Sequence, residues 1–121
     1  MEKPKKILVV DDEMGIRLLL SEALMTRGFK VSLASDGMES LQKLEQDRFD
    51  LIVTDINMPN LDGVSMLKRM KQTGRNEKVI IMTGDPSDKR LSDEGLPPVE
   101  DHLFKPFGLE GFLEVVTAAT T

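Results

Sequence analysis

Five side chains capable of chemistry stand directly after short apolar runs: Asp11 and Asp12 after residues 7–10, Asp55 after 51–54, Thr83 after 79–82 and Lys105 after 102–104. Three carboxylates brought within a few ångströms of one ammonium leave an excess of negative charge, and like charges so close cannot all stay ionised without compensation. A divalent cation restores the balance. Oxygen donors with no nearby His or Cys favour a hard ion, and Mg²⁺, which takes one or two carboxylates and keeps waters that a phosphate can replace, fits better than Zn²⁺ or Ca²⁺. With such an ion against Asp55, an incoming phosphoryl group is clamped between metal and Lys105, and Asp55 is the expected nucleophile. Each residue also has an ordinary structural reading. Strand-end acids cap turns and helices, a threonine can close the turn after it, and most lysines lie on the surface.

The elements that must position these groups read as an alternation of short aliphatic runs with stretches of helical period, the pattern of an α/β fold. Strands are predicted over 7–10, 30–34, 51–54, 79–82 and 102–104, and helices over 14–27, 37–46, 63–71, 87–94 and 109–118. The fold expected is a doubly wound, flavodoxin-like sheet of five parallel strands in order 2-1-3-4-5, with helices on both faces. In that order the reversal lies between strands one and three, so Asp11, Asp12 and Asp55 converge at one sheet edge. In the first helix Ile16, Leu19, Leu20, Ala23 and Leu24 form the expected core stripe, stopped by Gly28. Asp36 and Ser87 are the expected caps of the second and fourth helices. Residues 85–98, with three prolines and one glycine, are the least specified stretch.

Composition narrows the function. The 121 residues suit one domain, 1–121, with 40% hydrophobic and 31% charged residues. The basic start, Met1 to Lys6, is followed by an apolar run too short for a signal peptide, and no stretch has the length of a membrane helix, so a cytoplasmic protein with no membrane contact is expected. The absence of cysteine excludes thiolate chemistry and disulfides, and fits a reducing compartment. A net charge of −5 argues against direct nucleic-acid binding and leaves protein partners.

Taken together, Leu8-Val9-Val10-Asp11-Asp12-Glu13, the block from Asp55 through Met58-Pro59 to Asp62-Gly63, Met82-Thr83-Gly84 and Phe104-Lys105-Pro106-Phe107 closely resemble response regulator receiver domains, over about residues 5–116. The resemblance implies that Asp55 is the phosphoacceptor and that Asp12 and Asp55, with the backbone carbonyl of Asn57, ligate Mg²⁺, Asp11 acting directly or through water. It implies roles for Thr83 and Lys105 on the phosphoryl oxygens and a cis bond before Pro106. The implied donor is a phosphohistidine on a sensor histidine kinase or a histidine phosphotransfer protein, and the implied output is binding of a downstream protein. The domain would catalyse only its own phosphorylation and dephosphorylation.

One position departs from the common receiver pattern: His102 stands three residues before the lysine, where Tyr or Phe is usual and serves as an aromatic switch. A His there, with Asp12-Glu13-Met14-Gly15-Ile16-Arg17, resembles the single-domain receivers of sporulation-type phosphorelays. His102 reads as a structural or interface residue before a catalytic base. Met14, Leu18 and Met25 fall on one side of the first helix, away from its core stripe, and suit an adaptable docking face for a helix of the phosphodonor. A stand-alone receiver is the expectation; the alternatives are the receiver part of a longer DNA-binding or effector regulator, and a receiver-like binding module that is never phosphorylated. A haloacid-dehalogenase-type phosphohydrolase would carry Asp-x-Asp after its first strand, and here the acids are adjacent.

Overall fold

Continuous apolar runs make strands that are buried on both faces, because consecutive residues point to opposite sides of a sheet. In the computed structural model, which describes residues 3–121, β1 is Lys6–Val10, β2 Lys30–Ala34, β3 Leu51–Asp55, β4 Lys78–Thr83 and β5 Asp101–Phe104. Met1 and Glu2 of the basic N-terminal stretch lie outside the described residues. The strands are all parallel in the order β2-β1-β3-β4-β5, as the sequence predicts. Four α-helices cover the sheet among the described residues: α1 Met14–Thr26, α2 Gly37–Gln46, α3 Gly63–Gln72 and α4 Leu109–Thr120.

The two-residue period divides the core. Ile7, Val9, Val53, Ile80 and Met82 pack beneath α1 and α4 with Leu20, Leu24, Phe112 and Val116, while Leu8, Val10, Ile52, Val79 and Ile81 pack beneath α2 and α3 with Leu44, Met66, Leu67 and Met70. Burial of a large aliphatic side chain contributes about 1.5–3 kcal/mol, so these two layers supply most of the favourable folding energy. No helix among the described residues is long and apolar enough to cross a membrane.

Two expectations are corrected. Over 87–94 the chain forms only a short 3₁₀ helix, Lys89–Ser92, capped by Asp88 and not by Ser87. Three aspartates divert its backbone: Asp85, Asp88 and Asp93 accept from the amides of Ser87, Arg90 and Gly95, two residues on. Such local bonds compete with the α-helical ladder, and Leu91 within the stretch and Leu96 just beyond it are partly buried against the core. Leu19, assigned to the core stripe of α1, is 47% exposed. It lies on the flank of the helix beside Pro106, Phe107 and Leu109, where the connection from β5 to α4 covers it incompletely.

Candidate functional site

Strand register brings the reactive groups level. Val10 pairs with Thr54, which sets Asp11 beside Asp55, and Asp55 pairs with Met82 while Thr83 pairs with Phe104. Asp55 and Thr83 close their strands, and Lys105 is the first residue past β5. The loop after β3 is held tightly against Asp55: a Cβ on Gly63 would sit 2.1 Å from the Asp55 carbonyl oxygen, so only glycine lets α3 start there. Asp62 caps that helix through the Ser65 amide, and Gly63 donates to the Ile56 carbonyl at 3.0 Å.

Asp11, Asp12 and Asp55 each present a carboxylate oxygen within 4.8 Å of the other two. Asp11 is wholly buried and Asp55 nearly so, while Asp12 is exposed. Lys105 Nζ donates to Asp11 Oδ2 at 2.9 Å and to Asp55 Oδ2 at 3.0 Å, one ammonium shared by two carboxylates. Burial disfavours the charged form of Lys105, but the hydrogen bonds and charges of the two aspartates outweigh it and hold the ammonium above its ordinary pKa. The second oxygen of Asp55 accepts from the amides of Ile56 at 2.7 Å and Asn57 at 3.3 Å. The second oxygen of Asp11 accepts from the Glu13 amide at 2.9 Å, closing the turn into α1, which is the ordinary structural use of a strand-end acid.

The donor set suits a hard divalent ion: oxygen atoms only, from three acids that one lysine cannot neutralise. Asn57 is exposed on the loop after β3, and its side-chain oxygen accepts from Arg90. Thr83 is buried at the end of β4 with its hydroxyl bonded to the Asp85 backbone, accepting from the amide at 3.1 Å. In this arrangement its hydroxyl serves the turn.

The remaining sequence candidates lie apart from the carboxylates. His102 is half-buried on β5 and stacks on Phe104, ring centroids 6.3 Å apart. Pro106 is exposed after a cis bond from Lys105, the isomer the resemblance implies. Met14, Leu18 and Met25 are all more than half exposed, as their position on the helix predicts. Two cations at the site were missed in the sequence. Arg17 donates to the Asp11 carbonyl at 2.6 Å from one turn into α1, a spacing legible in hindsight. Arg90 reaches the site from the 3₁₀ helix, and no motif marks it.

The family model for the response regulator receiver domain matches residues 7–117. The chain is 35% identical to sporulation initiation phosphotransferase F of Bacillus subtilis over 112 residues, covering 93% of this chain and 90% of that protein. It is 38% identical to the response regulator MprA of Mycolicibacterium vanbaalenii, and there it spans about half the relative, 48%. Among solved structures, the chemotaxis response regulator CheY4 of Vibrio cholerae superposes with a TM-score of 0.85 at 31% identity, covering 96% of this chain and 98% of that one. A CheY-like receiver domain protein of Methanospirillum hungatei superposes with a TM-score of 0.88 at 27% identity, covering 97% and 94%. Sequence motifs, strand order and the acidic edge agree with these matches, and the chain belongs to the response regulator receiver domain family.

Proposed function

We propose that residues 1–121 act as one phosphoacceptor domain in which Asp55 takes a phosphoryl group from a phosphohistidine donor and later releases it as inorganic phosphate. The observation that carries this reading is the Asp55 carboxylate, bonded to Lys105 and standing within 4.8 Å of two further acids. An Asp55 carboxylate oxygen attacks phosphorus as the phosphorus–nitrogen bond of the donor imidazole breaks. The imidazole leaves with the electron pair and takes up a proton, and an acyl phosphate remains on Asp55. Attack of water on phosphorus then breaks the new phosphorus–oxygen bond and restores the carboxylate. Lys105 neutralises charge on the transferring oxygens, an effect that costs about 10²–10³ in rate when one such donor is removed. The Thr83 hydroxyl would have to leave the Asp85 turn to bond the same oxygens.

Mg²⁺ is the ion this donor set favours, with Asp11, Asp12, Asp55 and the Asn57 carbonyl as its ligands. When bound, it offsets the carboxylate excess and the negative charge on the phosphoryl oxygens. The domain switches protein binding and turns over no separate substrate. Its setting is the cytoplasm, where a sensor kinase or phosphotransfer protein presents the phosphohistidine. The exposed Met14, Leu18 and Met25 form the face for a helix of that donor. The Leu18→Asp variant should accept phosphate normally from acetyl phosphate and more slowly from the cognate donor; an unchanged donor rate would remove this face from the account. The match to about half of the MprA regulators favours a second reading of scope, that the same domain is the receiver part of a longer regulator.

The test is acetyl phosphate with Mg²⁺ followed by intact mass. A gain of about 80 Da, one phosphoryl group, is expected for wild type and not for Asp55→Asn. No gain in wild type would favour an unphosphorylated binding module.

A further inference from the structure

Arg90 remains at the rim of the acidic site without a part in this chemistry. Asp88 holds it: Arg90 Nη2 lies 2.7 Å from Asp88 Oδ2 and Nε lies 3.1 Å from Oδ1, and its own amide donates to the same Oδ1 at 2.9 Å. The same Nη2 donates across to the side-chain oxygen of Asn57. Asn57 stands two residues past Asp55, with its amide 3.3 Å from Asp55 Oδ1. Lys105 therefore flanks the Asp55 carboxylate through Oδ2, and Arg90 stands beyond the loop that binds Oδ1. The side chain of Arg90 is 40% exposed, so it can turn without opening the core. Its hydrogen bonds to the Asp88 carboxylate raise its pKa, with further contributions from the charges of Asp88, Asp62 and Asp55.

The partner of Arg90 across the gap is a neutral amide oxygen. An acyl phosphate on Asp55 would place there a group of about −1.5 to −2 charge with three strong acceptor oxygens. Charge-assisted bonds of this kind are roughly twice as strong as neutral ones, and the guanidinium fork matches phosphate geometry. We infer that Arg90 is a second phosphoryl-binding cation, which exchanges the Asn57 side chain for the oxygens of phosphorylated Asp55 and draws the Lys89–Ser92 turn over the site. This rests on Asp55 being the phosphoacceptor. The turn is suited to such a movement because short-range bonds from Asp85, Asp88 and Asp93 hold it, with no α-helical ladder to break. Differential binding of Arg90 in the two states is what shifts the segment.

The test uses beryllofluoride with Mg²⁺ as the phosphoryl mimic on whole wild-type protein and on the Arg90→Gln and Arg90→Lys variants. Affinity is followed by ¹⁹F NMR, and exchange of the amides of residues 88–93 by hydrogen–deuterium mass spectrometry. Arg90→Gln should bind about tenfold more weakly, equivalent to about 1.4 kcal/mol, and its turn should gain no protection on binding. Arg90→Lys, which keeps the cation and loses the guanidinium fork on Asp88, should bind more tightly than Arg90→Gln, with its turn protected. Different behaviour of the two variants separates the inference from a structural link, since both lose the fork and would then weaken binding alike. Arg90→Gln weaker than wild type by about fivefold or more, with Arg90→Lys recovering affinity and turn protection, supports the inference, and any other pairing overturns it. If wild type bound no beryllofluoride, or Asp55→Asn bound it equally well, the phosphoacceptor assignment would fall and this inference with it.

Discussion

The two edges of the sheet treat buried acid in opposite ways. At the edge where the strands begin, Glu77 is matched to Arg75, accepts from the Phe49 amide, and leaves Arg75 free to donate to the carbonyls of Leu44 and Asp47. At the edge where they end, Asp11 and Asp55 divide one ammonium, and Asp12 stands beside them with no ion pair among the described residues. Every buried side-chain polar atom among the described residues has a hydrogen-bond partner, so the contrast is one of charge and not of unmade bonds. A matched acid and base fasten loops together. An unmatched acidic cluster keeps capacity for a cation and a phosphoryl group, at some cost in stability.

This contrast can be broken at either edge. The largest loss of stability is expected from Glu77→Ala, which leaves the mostly buried Arg75 guanidinium without its carboxylate and should cost about 3–5 kcal/mol in denaturant unfolding. Lys105→Ala should lower the rate of phosphorylation by acetyl phosphate about 10²-fold, the scale of one lost charge-stabilising donor. Asp55→Asn should act in the opposite direction on stability, raising that of the metal-free protein by about 1 kcal/mol because it relieves like-charge crowding. Mg²⁺ should raise the Tm of wild type, since a ligand of the folded state alone stabilises it, and should raise that of Asp55→Asn less.

The acid limb of the stability curve sharpens the same comparison. Burial alone would raise the pKa of Glu77, but the Arg75 hydrogen bond, the Phe49 amide and the Arg75 charge together hold it below its ordinary value. A carboxyl depressed on folding contributes stability above its unfolded pKa and loses it as the pH falls through the folded value. Wild type should therefore lose stability below about pH 4.3, the unperturbed glutamate value, and Glu77→Gln should show a shallower loss in the same range. Lys105 acts at the other limit. Its raised pKa contributes stability below the unfolded value, which is lost as the pH rises through the folded one.

Much of this arrangement was legible in the chain. β1, β3 and β4 announce themselves because strands buried on both faces need unbroken aliphatic residues, and parallel pairing then gathers Asp11, Asp12, Asp55 and Lys105 at one edge. The segment over 87–94 misled because its helical spacing competes with aspartates that bond their own backbone two residues on. Leu19 misled because a helical wheel does not say how far the neighbouring loop extends. The links between Arg90 and Asn57 and between Arg75 and Leu44 join residues 33 and 31 positions apart, and only the folded chain brings them together. Thr83 was placed correctly at its strand end, while the direction of its hydroxyl depends on Asp85 and the local turn.

The central claim is that the unmatched acidic edge directs a phosphoryl group to one carboxylate. Borohydride reduction of the acetyl phosphate-treated protein, followed by peptide mapping, reads this directly, because reduction converts an aspartyl phosphate to homoserine. The account predicts homoserine in place of Asp55 alone, formed only when Mg²⁺ was present during labelling. Homoserine in place of Asp11 or Asp12, or labelling that does not depend on the metal, would contradict it.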